Sequence, residues 1–232
     1  MKPRIKGFDV PHKGIRNGLG KLILSAGNTD YSDIDQVEKL YQLGTEVFTI
    51  LTTHAHDEND VTLRELEKKV PGASEHDMEE HERIEQEQSV LEDLLSEILQ
   101  DSRSGKIPFE KGGEFYTGLC DFTSMYYWHM AGEEKETQEL IWQHFTDEEI
   151  LEHRKEIIAG LKPEVLLLWI KYIVPSQSHP ERIGFLKGMK VNAPVEFFDQ
   201  VMSVVKENLT GEDYSSLCES INYNPVPIPS LS

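Results

Sequence analysis

The stretch from about Asp35 to Lys69 repeats Val37, Leu40, Tyr41, Val47, Phe48, Leu51 and Leu66 at helical spacing over a length no strand reaches. "VPGAS" ends it, because Pro71 and Gly72 cannot comfortably continue a helix. Elsewhere strand signals are scarce and helical periods dominate. A first helix is expected over about residues 11–27, with Ile15, Leu19, Leu22 and Ile23 on one stripe, and "NTDYSDID" then supplies a turn and a capping signal. A third begins after Ser74, expected to cap it, and runs through "EHDMEEHERIEQEQSVLEDLLSEILQ" until "DSRSGKIP" breaks it. A fourth runs from about Gly113 through "FYTGLCDFTSMYYWHMAGEEKETQELIWQHF". Four helices of this length with short connections point to an all-α, up-down-up-down four-helix bundle.

After "TDEEI" the composition changes. Short helices with proline near their starts, such as "LKPEVLLLWIKYIVP" and "APVEFFDQVMSVVKENL", suggest a smaller C-terminal helical extension. The expected division is residues 1–150 for the bundle, 151–224 for the extension and 225–232 for a Pro-rich, extended tail. The net charge of -19, from 42 acidic and 23 basic side chains, opposes nucleic acid or an anionic membrane as a partner. The most apolar run, "VLLLWIKYIV", is about half the length of a membrane span and contains Lys171. "MKPRIKGF" has no apolar segment behind it, so no secretory leader is expected, and Cys120 and Cys218 stand far apart. A cytoplasmic location is the expectation.

The histidines then need placing. If "HMAGEE" is helical, His129 and Glu133 lie one turn apart on one face, and "HAHDE" repeats the spacing with His54 and Glu58. His12 opens the first helix and His81 lies in the third. Counting from shared turns brings them to similar depth: His81 lies about 23 residues before Ser104, and His129 about 22 beyond Ile107. Four imidazoles and two carboxylates converging from four helices form the recipe for a dinuclear metal site in a bundle core. Imidazole suits iron, a carboxylate one turn away can bridge two ions, and such charges are costly to bury without a cation.

The segments "PHKGIRNGL", "HAHDEND", "EEHERIEQ" and "HMAGEEKETQELIWQHFTDEEI", over residues 8–150, resemble the motif blocks of the hemerythrin-like family, the HHE cation-binding domain. The resemblance implies a four-helix bundle holding a non-haem di-iron centre, oxo- or carboxylate-bridged. It implies His12, His54, His81 and His129 as terminal ligands, with Glu58 and Glu133 as bridges. Oxygen-carrying hemerythrins place two histidines four apart on the third helix, whereas His76 and His81 are five apart here, about 500° around a helix. Asp77, Glu85 or a water could complete the set instead of His76.

A sphere richer in carboxylate and poorer in histidine favours redox or sensing chemistry over reversible oxygen carriage. The resemblance therefore implies a di-iron protein that binds, reduces or senses a small diatomic ligand or peroxide, with O2 and NO as candidate gases. A regulatory module, whose iron site is structural or a sensor read by a protein partner at the C-terminal helices, fits the same ligand set. An unmetallated bundle held by His–Glu hydrogen bonds is the plain alternative. Tyr126, Tyr127 and Trp128 are read as core and packing residues, with one tyrosine able to serve as a donor near the metals. His56, His144, His153 and His179 are read as ordinary.

Overall fold

The structure is a computed structural model, and residues 4–224 are described; the expected tail at 225–232 lies outside them. Among the described residues every regular element is a helix. The long elements are α1 (Asp9–Asn28), α2 (Ile34–Asp57), α4 (Glu75–Arg103) and α5 (Phe109–Gly132). α1 packs against α2 and α5, α2 against α4, and α4 against α5, so each has two long neighbours. Between them Leu19, Leu22, Leu40, Phe48, Leu51, Leu95, Phe115 and Leu119 are buried, each contributing roughly 1.5–3 kcal/mol of transfer free energy.

Two of these helices do not stop where their α-helical hydrogen bonding stops. α2 continues through a π-helical turn, Glu58–Leu63, into α3 (Arg64–Lys69), and α5 continues through Glu133–Thr137 into α6 (Gln138–His144). A π turn holds an extra residue and shifts everything beyond it around the axis. The buried positions record the shift: His54, Glu58, Leu63 and Leu66 on one helix, His129, Glu133, Gln138 and Ile141 on the other. The step is four residues, then five, then three in both. Beyond the π turns, Phe8, Leu63, Leu66, Ile141, Phe145 and Ile150 form a separate apolar cluster. The Gly7 amide donates to Gln138 Oε1 at 2.7 Å and the Trp142 indole to the Ile5 carbonyl at 2.7 Å, which ties the start of α1 to α6.

The turns follow local chemistry. Asp33 caps α2 by accepting from the Asp35 amide at 3.0 Å. Gly72 and Gly105 adopt φ of 86° and 83°, a left-handed conformation that side chains resist. Ser74 does precede α4, but it does not cap it: its hydroxyl donates to Glu67 Oε2 at 2.7 Å. Glu67 also accepts from the Gly72 amide at 2.7 Å, so the α3–α4 turn is clasped by a carboxylate from the helix before it. α5 begins at Phe109, earlier than the glycine pair suggests, with Pro108 as its N-cap residue.

The chain divides into two compact units between Leu161 and Lys162. The compositional shift near residue 150 falls inside α7 (Asp147–Gly160), which opens on a reciprocal Thr146–Glu149 capping box and packs against the Glu58–Leu63 turn of the first unit. In the second unit, α8 (Pro163–Ser176), α9 (His179–Asn192), α10 (Val195–Asn208) and α11 (Gly211–Ile221) enclose a core that includes Val174, Leu186, Val201, Met202, Val205 and Leu217. Cys120 and Cys218 are free thiols. No helix among the described residues is long and apolar enough to cross a membrane.

A Cβ on Gly112 would lie 2.4 Å from the Tyr31 ring, whose rigid face has nowhere to move. Gly112→Ala should therefore destabilise the protein by about 1–3 kcal/mol and lower its thermal midpoint by several degrees. Gly113→Ala, which meets nothing within 4 Å, should raise the midpoint slightly or leave it unchanged; calorimetry on both variants checks this.

Candidate metal centre

All six residues singled out by spacing meet at one level of the first unit, and all are at most 5% exposed. They fall into two groups: His12, His54, Glu58 and Glu133, and His81, His129, Glu58 and Glu133. The ligand atoms of each group lie within 4.8 Å of one another, and each glutamate belongs to both. Glu58 sends Oε1 to within 3.3 Å of His54 Nε2 and Oε2 to within 3.4 Å of His81 Nε2. Glu133 sends Oε2 to within 3.3 Å of His12 Nε2 and Oε1 to within 3.3 Å of His129 Nε2. Each carboxylate thus turns one oxygen toward each pair of imidazoles.

These groups are close but poorly paired. Among the described residues eight buried side-chain nitrogen and oxygen atoms lack a hydrogen-bond partner, and five of them belong here: Glu58 Oε2, His81 Nε2, His129 Nε2 and both Glu133 oxygens. An orphaned buried polar atom costs about 1–3 kcal/mol, so this concentration is unfavourable unless something else satisfies it. His12 Nε2 and His54 Nε2 also face each other at 3.1 Å, a contact that needs a proton on one of them. A cation would satisfy the orphaned atoms. Ligands at about 2.1 Å from an ion stand about 3.0 Å apart in an octahedron and about 3.4 Å apart in a tetrahedron. Five of the separations here, 3.1 to 3.4 Å, fall within that range, so the two groups could each hold a metal ion.

The imidazoles are held from behind. His12 Nδ1 lies 2.9 Å from Glu134 Oε1, His81 Nδ1 2.8 Å from Asn59 Oδ1, and His129 Nδ1 2.9 Å from Glu80 Oε2. Each contact fixes a ring so that Nε2 points inward, the arrangement that orients histidine ligands in metal sites. Every partner is the chain neighbour of one of the six: Asn59 follows Glu58, Glu80 precedes His81, and Glu134 follows Glu133. The π turn after α2 thus serves α4, α4 serves α5, and the π turn after α5 serves α1.

Several of the contacts are related by an internal exchange, which the 3.1 Å His12–His54 and 3.6 Å His81–Glu133 approaches do not follow. Swapping His12 with His81, His54 with His129 and Glu58 with Glu133 maps the 3.3 Å His12–Glu133 pair onto the 3.4 Å His81–Glu58 pair. It maps the 3.3 Å His54–Glu58 pair onto the 3.3 Å His129–Glu133 pair, and Asn59 onto Glu134. Both glutamates open a π turn. The sequence shows no convincing repeat, so this twofold relation lives only in the side chains at the centre.

Electrostatics describe how the cluster holds itself together with protons alone. Burial lowers the affinity of His12 for a proton, but Glu133 and Glu134 outweigh it and push its pKa up to about 9. His129 is likewise raised to about 9, burial being overcome by Glu133 and Glu80. Burial and the nearby His12 hold His54 well below the usual imidazole range. Burial and the Glu133 charge push Glu58 well above the carboxylate range, whereas Glu133, despite burial, is held well below it by His12, His129 and His81. Glu134 drops to about 2 because His12 and Arg16 outweigh its partial burial.

The remaining candidates separate clearly. His76 is 75% exposed and Glu85 is exposed, so neither faces the cluster. Asp77, one turn before His81, is buried but accepts from the Thr137 hydroxyl at 2.6 Å, which ties α4 to the second π turn. His56 is exposed. Trp128 is 81% exposed, contrary to its reading as a packing residue, because Tyr126, His129 and Met130 already define the inner face of α5. Glu80, Asn59 and Glu134 escape sequence reasoning; their adjacency to the six residues is the one signal that points to them. Comparison with models of protein families, with characterised proteins and with solved structures finds no match.

A cation must displace the protons on His12 and His129, since only neutral imidazole can coordinate. Both pKa values are raised, so the competing protonated forms gain weight as pH falls below about 9. Zn2+ or Fe2+ affinity should fall by roughly tenfold per pH unit in that range for each ion, about 100-fold for the pair, with two or more protons released per loaded chain. Calorimetric titration in buffers of different ionisation enthalpy measures the release.

Proposed function

We propose that the chain is a hemerythrin-like four-helix bundle carrying a non-haem di-iron centre that binds, reduces or senses a small ligand such as O2, NO or peroxide. The observation that carries this reading is the shared pair of carboxylates, Glu58 and Glu133, each offering one oxygen to each histidine pair. Two ions bridged in that way would each receive two nitrogen and two oxygen donors. That leaves open positions in the six-coordinate geometry that iron with imidazole and carboxylate ligands adopts.

Iron held there would supply redox chemistry and vacant sites for a small ligand. The chain's own contribution is orientation and lining. Glu134, Asn59 and Glu80 aim three of the imidazoles, and Glu58 and Glu133 each lie one helical turn beyond a histidine, on its inward face. Phe48, Leu51 and Tyr126, within two turns of His54 and His129 on the same helices, are at most 2% exposed, so this end of the site is lined with apolar and aromatic side chains. Four donors per ion, rather than a sphere saturated with histidine, favour redox or sensing chemistry over reversible carriage. A sensor whose state is read by a protein partner is favoured by one observation, the second compact unit with its own core at residues 162–224.

Iron content tests the reading. Protein loaded anaerobically with Fe(II) should hold about two ions per chain and develop near-ultraviolet charge-transfer absorption on oxidation. Glu58→Ala or Glu133→Ala should lower the content to one ion or fewer, because a shared ligand serves both positions. His56→Ala should leave it unchanged, since that side chain is exposed. Equal iron in all three variants would contradict the assignment.

A further inference from the structure

The exchange that relates the two halves of the cluster also allows the residues stacked beside it to be compared. Three residues before His54 stands Leu51, and three before His129 stands Tyr126. Six before them stand Phe48 and Thr123, and seven beyond His12 and His81 stand Leu19 and Gln88. All are buried. The corresponding positions are Leu19, Phe48 and Leu51 on α1 and α2, and Gln88, Thr123 and Tyr126 on α4 and α5. The ligand sets match, but their surroundings do not.

One of the three polar residues is accounted for. Gln88 donates to Thr52 Oγ1 at 2.8 Å and to the Phe48 carbonyl at 3.2 Å. The two hydroxyls are not. Thr123 is 4% exposed and its Oγ1 has no hydrogen-bond partner. Tyr126 is 1% exposed, and among the described residues its only contacts of this kind are ring contacts, with Phe122 and, edge-on at 5.9 Å between centroids, with His129. Thr123, Tyr126 and His129 follow one another at three-residue intervals on the inner face of α5, so they stack in a row that ends at the cluster. A fully buried hydroxyl such as that of Thr123 is rarely left unpaired in a protein interior.

We propose that Tyr126 is the hydrogen-bond donor for a small anion bound at the His81–His129 position, with Thr123 behind it. Anions then bind on that side in preference to the His12–His54 side, where Leu51 fills the equivalent place. The inference rests on the two-metal reading of the centre and deepens it: it assigns a polarity to the ligand space. A phenol donates one proton and does so best to an acceptor carrying charge. The species selected are those with negative charge on the atom far from the metal, such as azide, over neutral diatomics.

The test uses azide on the iron-loaded, oxidised full chain, with iron content read first. Tyr126→Phe should keep about two ions per chain and weaken azide binding about tenfold or more, while NO binding to the reduced form changes less than about threefold. Thr123→Val should weaken azide by a smaller factor. In the wild-type chain, the infrared stretch of bound azide should shift between H2O and D2O, and Tyr126→Phe should abolish that shift. Unaltered azide affinity in the loaded Tyr126→Phe protein overturns the proposal. So does a wild-type azide stretch insensitive to D2O, a result that does not depend on the variant folding. A wild-type chain that takes up no iron refutes the centre itself, and is told apart because it is read before azide is added.

Discussion

Everything in the first unit is organised around two carboxylates that each serve two masters. Glu58 and Glu133 are buried side by side, which is unfavourable for like charges in a medium of low polarity. Without a cation the chain tolerates them through protons: Glu58 is pushed toward its neutral form, and His12 and His129 are held as imidazolium against Glu133. That arrangement still leaves both Glu133 oxygens and two imidazole nitrogens without a hydrogen bond. Two cations would replace the protons and satisfy every inward-facing atom at once. Such a cluster trades stability in the empty state for affinity in the loaded one.

The π turns re-register both helices immediately beyond the shared carboxylates. In a regular α-helix, adjacent residues point about 100° apart, and the face defined by His54 and Glu58 would continue without a step. Starting a π turn at each glutamate inserts an extra residue there. Glu58 faces the cluster while Asn59 reaches His81, and Glu133 faces it while Glu134 reaches His12. The extra residue also re-aims Leu63 and Gln138 inward, so the closed apolar end beyond the centre is built on the shifted register. Site and core therefore share one irregularity, which is where π turns are most often found.

Much of this was legible in the amino-acid sequence, for reasons that can be named. Helical periods and the breakers "VPGAS" and "DSRSGKIP" mark the long helices, because apolar spacing and glycine or proline chemistry act locally. His54–Glu58 and His129–Glu133 stand out because a charged pair one turn apart has no reason to lie on an apolar face. Glu80 was hidden for the opposite reason: it sits in "EHDMEEHERIEQEQ", where a run of glutamates reads as a solvated face. The π turns were invisible because a single inserted residue changes the apolar period too little to see over so few turns. Ser74 has the composition of a cap, yet a carboxylate from the preceding helix takes its hydroxyl, a contact that spacing alone does not encode. Trp128 followed its aromatic neighbours in sequence but not in phase.

The measurement that bears most directly on the shared carboxylates is anomalous X-ray diffraction at the iron edge from crystals of the Fe(II)-loaded chain. Two anomalous peaks about 3–4 Å apart, one between His12 and His54 and the other between His81 and His129, with Glu58 and Glu133 spanning both, are the expected result. A single peak bound to one histidine pair, or none with the six side chains still converging, would contradict the account and leave the cluster as a proton-held core.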